Sequence, residues 1–381
     1  MDFDLTEEQR MLQQMVRDFA AHEIEPLAAE IDDREEFPRE IARKLGGLGL
    51  MGLTIPEEYG GSGGDFVSME IVTEEISRAS GSLGAFYLAD LSLTVRPLFE
   101  KANEEQRQKF VSPCARGEKI ASFALTESEA GSDPAALRTT AVPKNGGYVL
   151  NGTKIFITNG AEAEVVVVFA TVDPSLGYRG VNEFVMEKGT PGFSVGKKER
   201  KLGIRGSSTT ELIFEDCWIP ESNLVGEKNR GFRQALEAID ASRITVAAQA
   251  VGIAQAAFEA ALGYARERRQ FGQALVNFQA IQWMLADMAT QLDAARFLAY
   301  RAAWLKDQGQ PFLKEAAMAK VFAAEMSREV TNKALQIHGG YGYIKDYPLE
   351  RYLRDAKITE IYEGTSEMQR MTIARRLMAE S

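Results

Sequence analysis

Cysteine and histidine are scarce in this 381-residue chain, with two of each. Cys114 and Cys217 have no partner at CxxC spacing, which argues against a disulfide framework or a zinc site. His22 and His338 cannot build a histidine-rich metal centre, and neither lies near a nucleophile-elbow pattern, so no metal and no Ser-His-Asp hydrolase is expected. Long hydrophobic runs are also missing. The longest uninterrupted one, Val165 to Ala170, falls far short of the roughly 20 residues that cross a bilayer. Positive charge is in deficit, with 44 Lys and Arg against 55 Asp and Glu and a net charge of -11, so bulk electrostatics give no reason to expect a nucleic-acid partner. A local anion site remains compatible with that balance. Met1-Asp2-Phe3-Asp4 lacks a basic region followed by an apolar one, so no secretory signal is expected. The expectation is a cytoplasmic protein, and a mature organellar matrix protein would read the same way.

The 45% of hydrophobic residues can fill a large core. Thr6 and Gln9 make a capping box, and Met11, Met15, Phe19 and Ile24 continue one helical face to about Ile31. Further helices are expected from Pro38 to Leu45, from Phe66 to about Ser80 behind Asp65, from Ser82 to Pro97, and from Asn103 to Arg116. Gly47-Leu48-Gly49-Leu50-Met51-Gly52 matches GxGxxG, yet a helix precedes it and no helix follows, so it reads as a glycine-rich helix exit. From Lys119 to Pro220 the texture changes to β-branched residues and turn signals. Asn145-Gly146 marks a hairpin, Val165 to Phe169 a buried strand and Thr209 to Glu215 an alternating one. Alanine-rich helices follow near Gly231 to Arg268, Gln279 to Gln308, Phe312 to Ile337 and Ser366 to Ala379. The expected fold is α+β in three domains packed as one body. These are a helical domain over residues 1–118, a β-barrel or sandwich over 119–225 and a four-helix bundle over 226–381.

The most informative stretch is Thr359 to Arg370. Ser366 and Gln369 read as a capping box opening the last helix, which puts Glu363 in the turn before a helix N-terminus. Such a turn offers free N–H groups and the positive end of the helix dipole, and Gly364 permits close approach to the main chain. A carboxylate there is either a solvated acid or a base facing a polarised carbonyl.

Three motifs decide between these readings. Phe123-Ala124-Leu125-Thr126-Glu127-Ser128-Glu129-Ala130-Gly131-Ser132-Asp133 resembles the first signature of the acyl-CoA dehydrogenase family. Gln336-Ile337-His338-Gly339-Gly340-Tyr341-Gly342-Tyr343, followed by Asp346, Arg351 and Asp355, resembles the second. Ile361-Tyr362-Glu363-Gly364-Thr365 is similar to the family's catalytic loop. The likeness spans essentially the whole chain.

The resemblance implies FAD as cofactor. It places Phe123, Leu125, Thr126, Gly131 and Ser132 along the isoalloxazine slot, with Phe156 and Thr158 on a second strand and Thr365 nearby. The family commonly has tryptophan where Phe156 stands, and from its own residues Phe156 could equally be a core aromatic. By the resemblance Arg268 meets the pyrophosphate, Gln270 and Phe271 lie near the adenosine, and Gln336, Gly339 and Gly340 approach the cofactor of a neighbouring subunit. A homo-oligomer follows, usually a tetramer. Arg266 to Gly272 also reads as a charged helix end, and Gly339-Gly340 as a helix C-cap. Asp240, Arg243, Ser132, Tyr362 and Gly364 match positions that hold the CoA thioester, although Asp240 and Arg243 could also be a plain i, i+3 ion pair. The implied reaction is α,β-dehydrogenation of an acyl-CoA. Glu363 takes the α-proton, hydride leaves to flavin N5, and the Glu363 N–H with a ribityl hydroxyl forms the oxyanion hole. Relatives that carry the base on the long helix have it where Ser242 stands here. Electron-transferring flavoprotein is the implied electron acceptor.

Asp90 departs from the pattern. It falls on the helical face of Leu83, Phe86, Tyr87 and Thr94, which by the resemblance closes the far end of the acyl site. It would rotate to solvent, pair with Arg96, or act as a second acid/base on an alicyclic carboxyl-CoA. The arginine that dicarboxylic members use is replaced by Gly84. An acyl-CoA oxidase and a non-catalytic scaffold of the same fold stay open as rival readings.

Overall fold

The computed structural model describes residues 4–379. Its first part is helical. The Thr6–Gln9 capping box opens α1 (Glu7–Phe19), but the helical path toward Ile31 is not regular. A π turn (Ala20–Ile24) and a 3-10 turn (Glu25–Leu27) intervene before α2 (Ala28–Arg34), because Pro26 has no N–H to continue the ladder. After α3 (Arg39–Gly47) the GxGxxG stretch leaves the helix with Gly49 at φ +74°, as a helix exit requires. Asp65 accepts from Ser68 N–H at 2.7 Å and caps α4 (Phe66–Ala79).

The following helix differs from its expected form. Ser80, rather than Ser82, caps α5 (Gly81–Tyr87), and the Ser82 hydroxyl accepts instead from Gly206 N–H at 3.1 Å. From Leu88 to Val95 the helix is π-wound before α6 (Arg96–Lys101). The short α7 (Glu104–Gln106), with its Asn103 capping box, and α8 (Ser112–Ala115) close this part.

The middle part is one eight-stranded, mostly antiparallel sheet. Its strands are β1 (Ala121–Ala124), β2 (Thr140–Lys144), β3 (Gly147–Thr158), β4 (Val165–Thr171), β5 (Val181–Glu187), β6 (Phe193–Lys198), β7 (Thr209–Pro220) and β8 (Leu224–Val225). They run in the order β6-β7-β3-β2-β4-β5-β8, with β1 parallel to β4. Asn145 and Gly146 both take positive φ in the β2–β3 hairpin. β4 is buried on both faces. Val166, Val168 and Ala170 join the sheet's own core, while Val165, Val167 and Phe169 join the helical core. That is why this run is unbroken rather than alternating: each fully buried valine contributes about 1.5–3 kcal/mol.

The last part is built around α9 (Gly231–Glu267), which packs on α4, on α10 (Gln279–Asp307) and on α11 (Leu313–His338). It is long and apolar enough to cross a membrane, yet 78% of its most apolar window is buried inside the protein. Its alanines permit close helix approach. Where it crosses α4, a Cβ on Gly252 would lie 2.3 Å from the Glu74 carbonyl. A small hairpin, β9 (Arg269–Gln270) and β10 (Gln273–Ala274), follows α9, and α12 (Leu349–Ala356) and α13 (Ser366–Ala379) end the described chain. Asp355 on α12 accepts from Ile204 N–H at 2.5 Å, tying the bundle to the β6–β7 loop.

Candidate active site

Glu363 sits in the turn before α13 in a left-handed conformation, φ +52°, followed by Gly364 at +94°. A non-glycine residue there stores about 1–3 kcal/mol of strain, which the surroundings must offset. Three side chains do so through the carbonyls of the turn. Lys320 donates to Gly364 O at 2.7 Å, Arg243 to Glu363 O at 3.4 Å, and Gln369 to both, at 2.9 and 3.2 Å. The expected Ser366–Gln369 capping box therefore does not form. Thr365 is the cap, its hydroxyl accepting from Met368 N–H, and Gln369 is turned back onto the loop.

The Glu363 Oε2 atom is buried without a hydrogen-bond partner, and so is the Ser242 hydroxyl on α9. Burial pushes the Glu363 carboxyl up to about 7, against the opposing influence of the Ser242 hydroxyl and of the Lys320 and Arg243 charges. A carboxyl so tuned is a competent base near neutral pH.

That carboxyl lines a cavity of about 120 Å³. One wall is Phe123, Leu125 and Thr126, from β1 and the segment after it; a second is Phe156, Ile157 and Thr158 at the end of β3. Leu88, Ala89 and Leu93 of the π turn form a third, and Ile239 and Tyr362 complete it. Phe156 is not a core aromatic. It has φ +56° and is 60% exposed, presenting its ring at the cavity mouth beside a register shift between β3 and β7. Tyr362 donates its hydroxyl to Gln249, which in turn donates to Gly81 O.

Two residues the sequence reading did not single out fix the first wall. Lys154, fully buried on β3, donates to Leu125 O at 2.9 Å and to Glu127 at 2.7 Å. Glu127 also accepts from the N–H groups of Arg138 and Thr139. The pair holds the main chain at Leu125–Thr126 and folds the loop after it against the sheet. Its signal was present in the sequence: an inward strand position occupied by a lysine requires a buried anion.

The other expected site residues are dispersed. Gly131 and Ser132 lie exposed on that loop, outside the cavity lining. Asp240 and Arg243 do form their i, i+3 pair, at 2.8 Å, while Arg243 also holds the Glu363 carbonyl. Arg268, Gln270, Gly339 and Gly340 line a separate concavity of about 490 Å³ that shares no residue with the first. There the Arg268 guanidinium lies 5.4 Å from the Tyr341 ring centroid, and His338 stacks on Tyr264 at 4.2 Å. Gly339 ends α11 at φ +59°. Gln336 is exposed beside this concavity without lining it, and Phe271 projects, 93% exposed, from the tip of the β9–β10 hairpin.

Asp90 is where the expected geometry fails. Leu83, Phe86 and Tyr87 pack into the helical core, and the π turn brings Leu88, Ala89 and Leu93 to the cavity instead. Asp90 is fully buried, is not among the cavity-lining residues, and accepts from Ala121 N–H at 3.0 Å. It neither reaches solvent nor pairs with Arg96, which donates to Glu100 and to Thr54 O.

Domain profiles of the acyl-CoA dehydrogenase N-terminal, middle and C-terminal domains match residues 6–118, 122–217 and 229–378. The short-chain specific acyl-CoA dehydrogenase of Clostridium acetobutylicum is 51% identical over 377 residues, 99% of this chain and 100% of that protein. Butyryl-CoA dehydrogenase from Megasphaera elsdenii superposes with a TM-score of 0.98 at 43% identity, covering 99% of this chain and 100% of that one. A chain from the structure described as the electron transferring flavoprotein of Acidaminococcus fermentans has the same TM-score at 49% identity, covering 99% and 100%. With all three domain profiles matched in order and a relative half identical along its full length, the chain belongs to the acyl-CoA dehydrogenase family.

Proposed function

We propose that the chain catalyses α,β-dehydrogenation of a short-chain acyl-CoA thioester, with Glu363 as the base that removes the α-proton. The observation that carries this reading is Glu363, whose carboxyl keeps one buried, unpartnered oxygen and which lines a cavity edged by two strand ends. The residues present fit FAD, the cofactor of the family. Leu125, Thr126, Ile157 and Thr158 line a slot together with the exposed Phe156, which suits the edge and face of a flat heterocycle. When bound, FAD supplies the acceptor for the β-hydrogen as hydride.

The chain's own contribution is position and electrostatics. Lys320, Arg243 and Gln369 bond the carbonyls of the catalytic turn and fix the direction of the Glu363 side chain. The Glu363 N–H is the group assigned to the developing enolate oxygen. Leu88, Ala89 and Leu93 are the wall assigned to the acyl chain, and a short chain is supported by the names of the C. acetobutylicum and M. elsdenii enzymes. Asp240, Arg243 and Ser132 are assigned to the CoA arm, and Arg268, Gln270, Phe271, Gln336, Gly339 and Gly340 to the cofactor of a neighbouring subunit in a homotetramer. Electron-transferring flavoprotein is the proposed acceptor, in keeping with the structure from A. fermentans.

Glu363→Gln is the test. The variant is expected to bind FAD normally and to lose roughly 10²–10⁴-fold in anaerobic bleaching of the flavin by butyryl-CoA, the range set by loss of a general base. Bleaching at the wild-type rate would overturn the assignment.

A further inference from the structure

The walls of the cavity meet behind it at one buried node. Ala121, the first residue of β1, has both of its main-chain polar groups held by side chains. Its N–H donates to Asp90 at 3.0 Å, and its carbonyl accepts from the Asn159 amide at 3.4 Å. The same amide donates to Phe86 O at 3.2 Å, at the end of α5. Asp90 and Asn159 are 0% and 1% exposed, and each keeps a buried Oδ1 without a partner.

Every wall is only a few residues from this node. Leu88 and Ala89 precede Asp90 and Leu93 follows it; Phe123 is two residues beyond Ala121; Thr158 directly precedes Asn159. Asn159 itself has φ +64° and donates its N–H to Ser208 O at 3.1 Å, so the end of β3 is held firmly. The π turn is intrinsically the softest of the three segments, since its i→i+5 ladder is a locally underwound, widened insertion in a regular helix. What registers it against the rigid sheet is the Asp90 carboxyl.

We infer that Asp90 and Asn159 are positioning residues that set how far Leu88, Ala89 and Leu93 stand from the strand ends, and thereby fix the acyl-chain length the site accepts. Neither touches the substrate. Burial holds the Asp90 carboxyl up to about 8 despite the Ala121 N–H, so near neutral pH the group is mostly uncharged. An asparagine then keeps the acceptor and the volume, whereas serine is too short to reach Ala121. The inference rests on the dehydrogenase reading above.

The test is the anaerobic flavin-bleaching rate, resolved into kcat and KM, with butyryl-, hexanoyl- and octanoyl-CoA for the wild-type protein and for Asp90→Asn, Asp90→Ser and Asn159→Ser. Flavin content and Tm are measured on the same samples. Asp90→Asn is expected to keep the wild-type chain-length profile. Asp90→Ser and Asn159→Ser are expected to cut the preference for the shortest thioester about 10-fold, chiefly through KM for the longer ones, since a single methylene in an apolar site is worth that much discrimination. Unchanged chain-length ratios with a lowered Tm would reduce the node to a structural bolt and overturn the inference. Loss of bleaching by every thioester in Asp90→Asn, with flavin retained, would overturn it in favour of a chemical role for Asp90. Should Asp90→Ser fail to fold, Asn159→Ser loosens the same node from the other side of Ala121 and decides the question by the same ratio. Bleaching of the wild-type protein by none of the thioesters would instead refute the dehydrogenase reading, a distinguishable result.

Discussion

Glu363 combines backbone strain with a carboxyl that has a buried, unpartnered oxygen, and both properties have consequences that can be measured. Because its pKa is raised to about 7, the ionised base grows in as pH rises through that value. The rate of flavin bleaching by substrate, taken at low substrate concentration, should therefore climb about tenfold per pH unit below 7 and level off above it. A rate flat from pH 5.5 to 8 would refute this. Gly364 permits the φ of +94° that presents the carboxyl, and a Cβ there would lie 2.7 Å from the Gln369 amide that holds the loop. Gly364→Ala should cost about 1–2 kcal/mol and slow bleaching more than it weakens thioester binding, as read from Tm and from separate kcat and KM values. The proposed base was singled out from the Tyr362-Glu363-Gly364-Thr365 motif. Its supports were not: Lys320 and Arg243 arrive from α11 and α9, distant in sequence, and Gln369 of α13 reads locally as a capping partner rather than a support of the loop.

Among the elements, those governed by local rules matched their expectations closely. The Thr6, Asp65 and Asn103 caps, the Asn145-Gly146 turn and the limits of the long helices all follow from side chains within four residues. Competition between equivalent local choices produced the misses. Ser80 and Ser82 can each cap α5, and the choice fell to Ser80 because the Ser82 hydroxyl is engaged by Gly206 across the domain boundary. The π winding of Leu88–Val95 inserts a residue into the 3.6 period and rotates everything after Tyr87, which is why Asp90 leaves the face that regular spacing assigns to it. The Lys154–Glu127 pair belongs to this scale as well. Lys154→Met strands the Glu127 carboxylate in a dry site and should destabilise the protein by about 3–5 kcal/mol, while also weakening FAD binding through the Leu125–Thr126 main chain. Adding Glu127→Leu should restore a part of the lost stability but not the FAD affinity; thermal melts and flavin titration separate the two effects.

For the whole molecule, the residues assigned to one cofactor are split, with Phe123, Leu125, Thr126, Phe156 and Thr158 lining one concavity and Arg268, Gln270, Gly339 and Gly340 another that shares no residue with it. If Arg268 serves the site of a neighbouring subunit, neither Glu363→Gln nor Arg268→Ala homo-oligomers are active. A mixed oligomer then regains activity, because one site receives both wild-type residues. Coexpression of the two variants under separate tags, followed by tandem purification, should recover activity well above that of either alone. Recovery no greater than the better single variant would place Arg268 and Glu363 in the service of the same chain or of different tasks.

The sequence by itself determined the three-part architecture and the limits of the long helices, and singled out Glu363 as the proposed base, because these rest on short-range capping, periodicity and contiguous motifs. Tertiary structure decided the rest. It selected which of two serines caps a helix, turned Gln369 from a capping partner into a support of the loop, buried Lys154 on Glu127, and directed Asp90 onto Ala121 rather than into the cavity. In each case one polar group had several partners within reach, and only the packing of distant segments, which determines where water is excluded, made a single choice favourable.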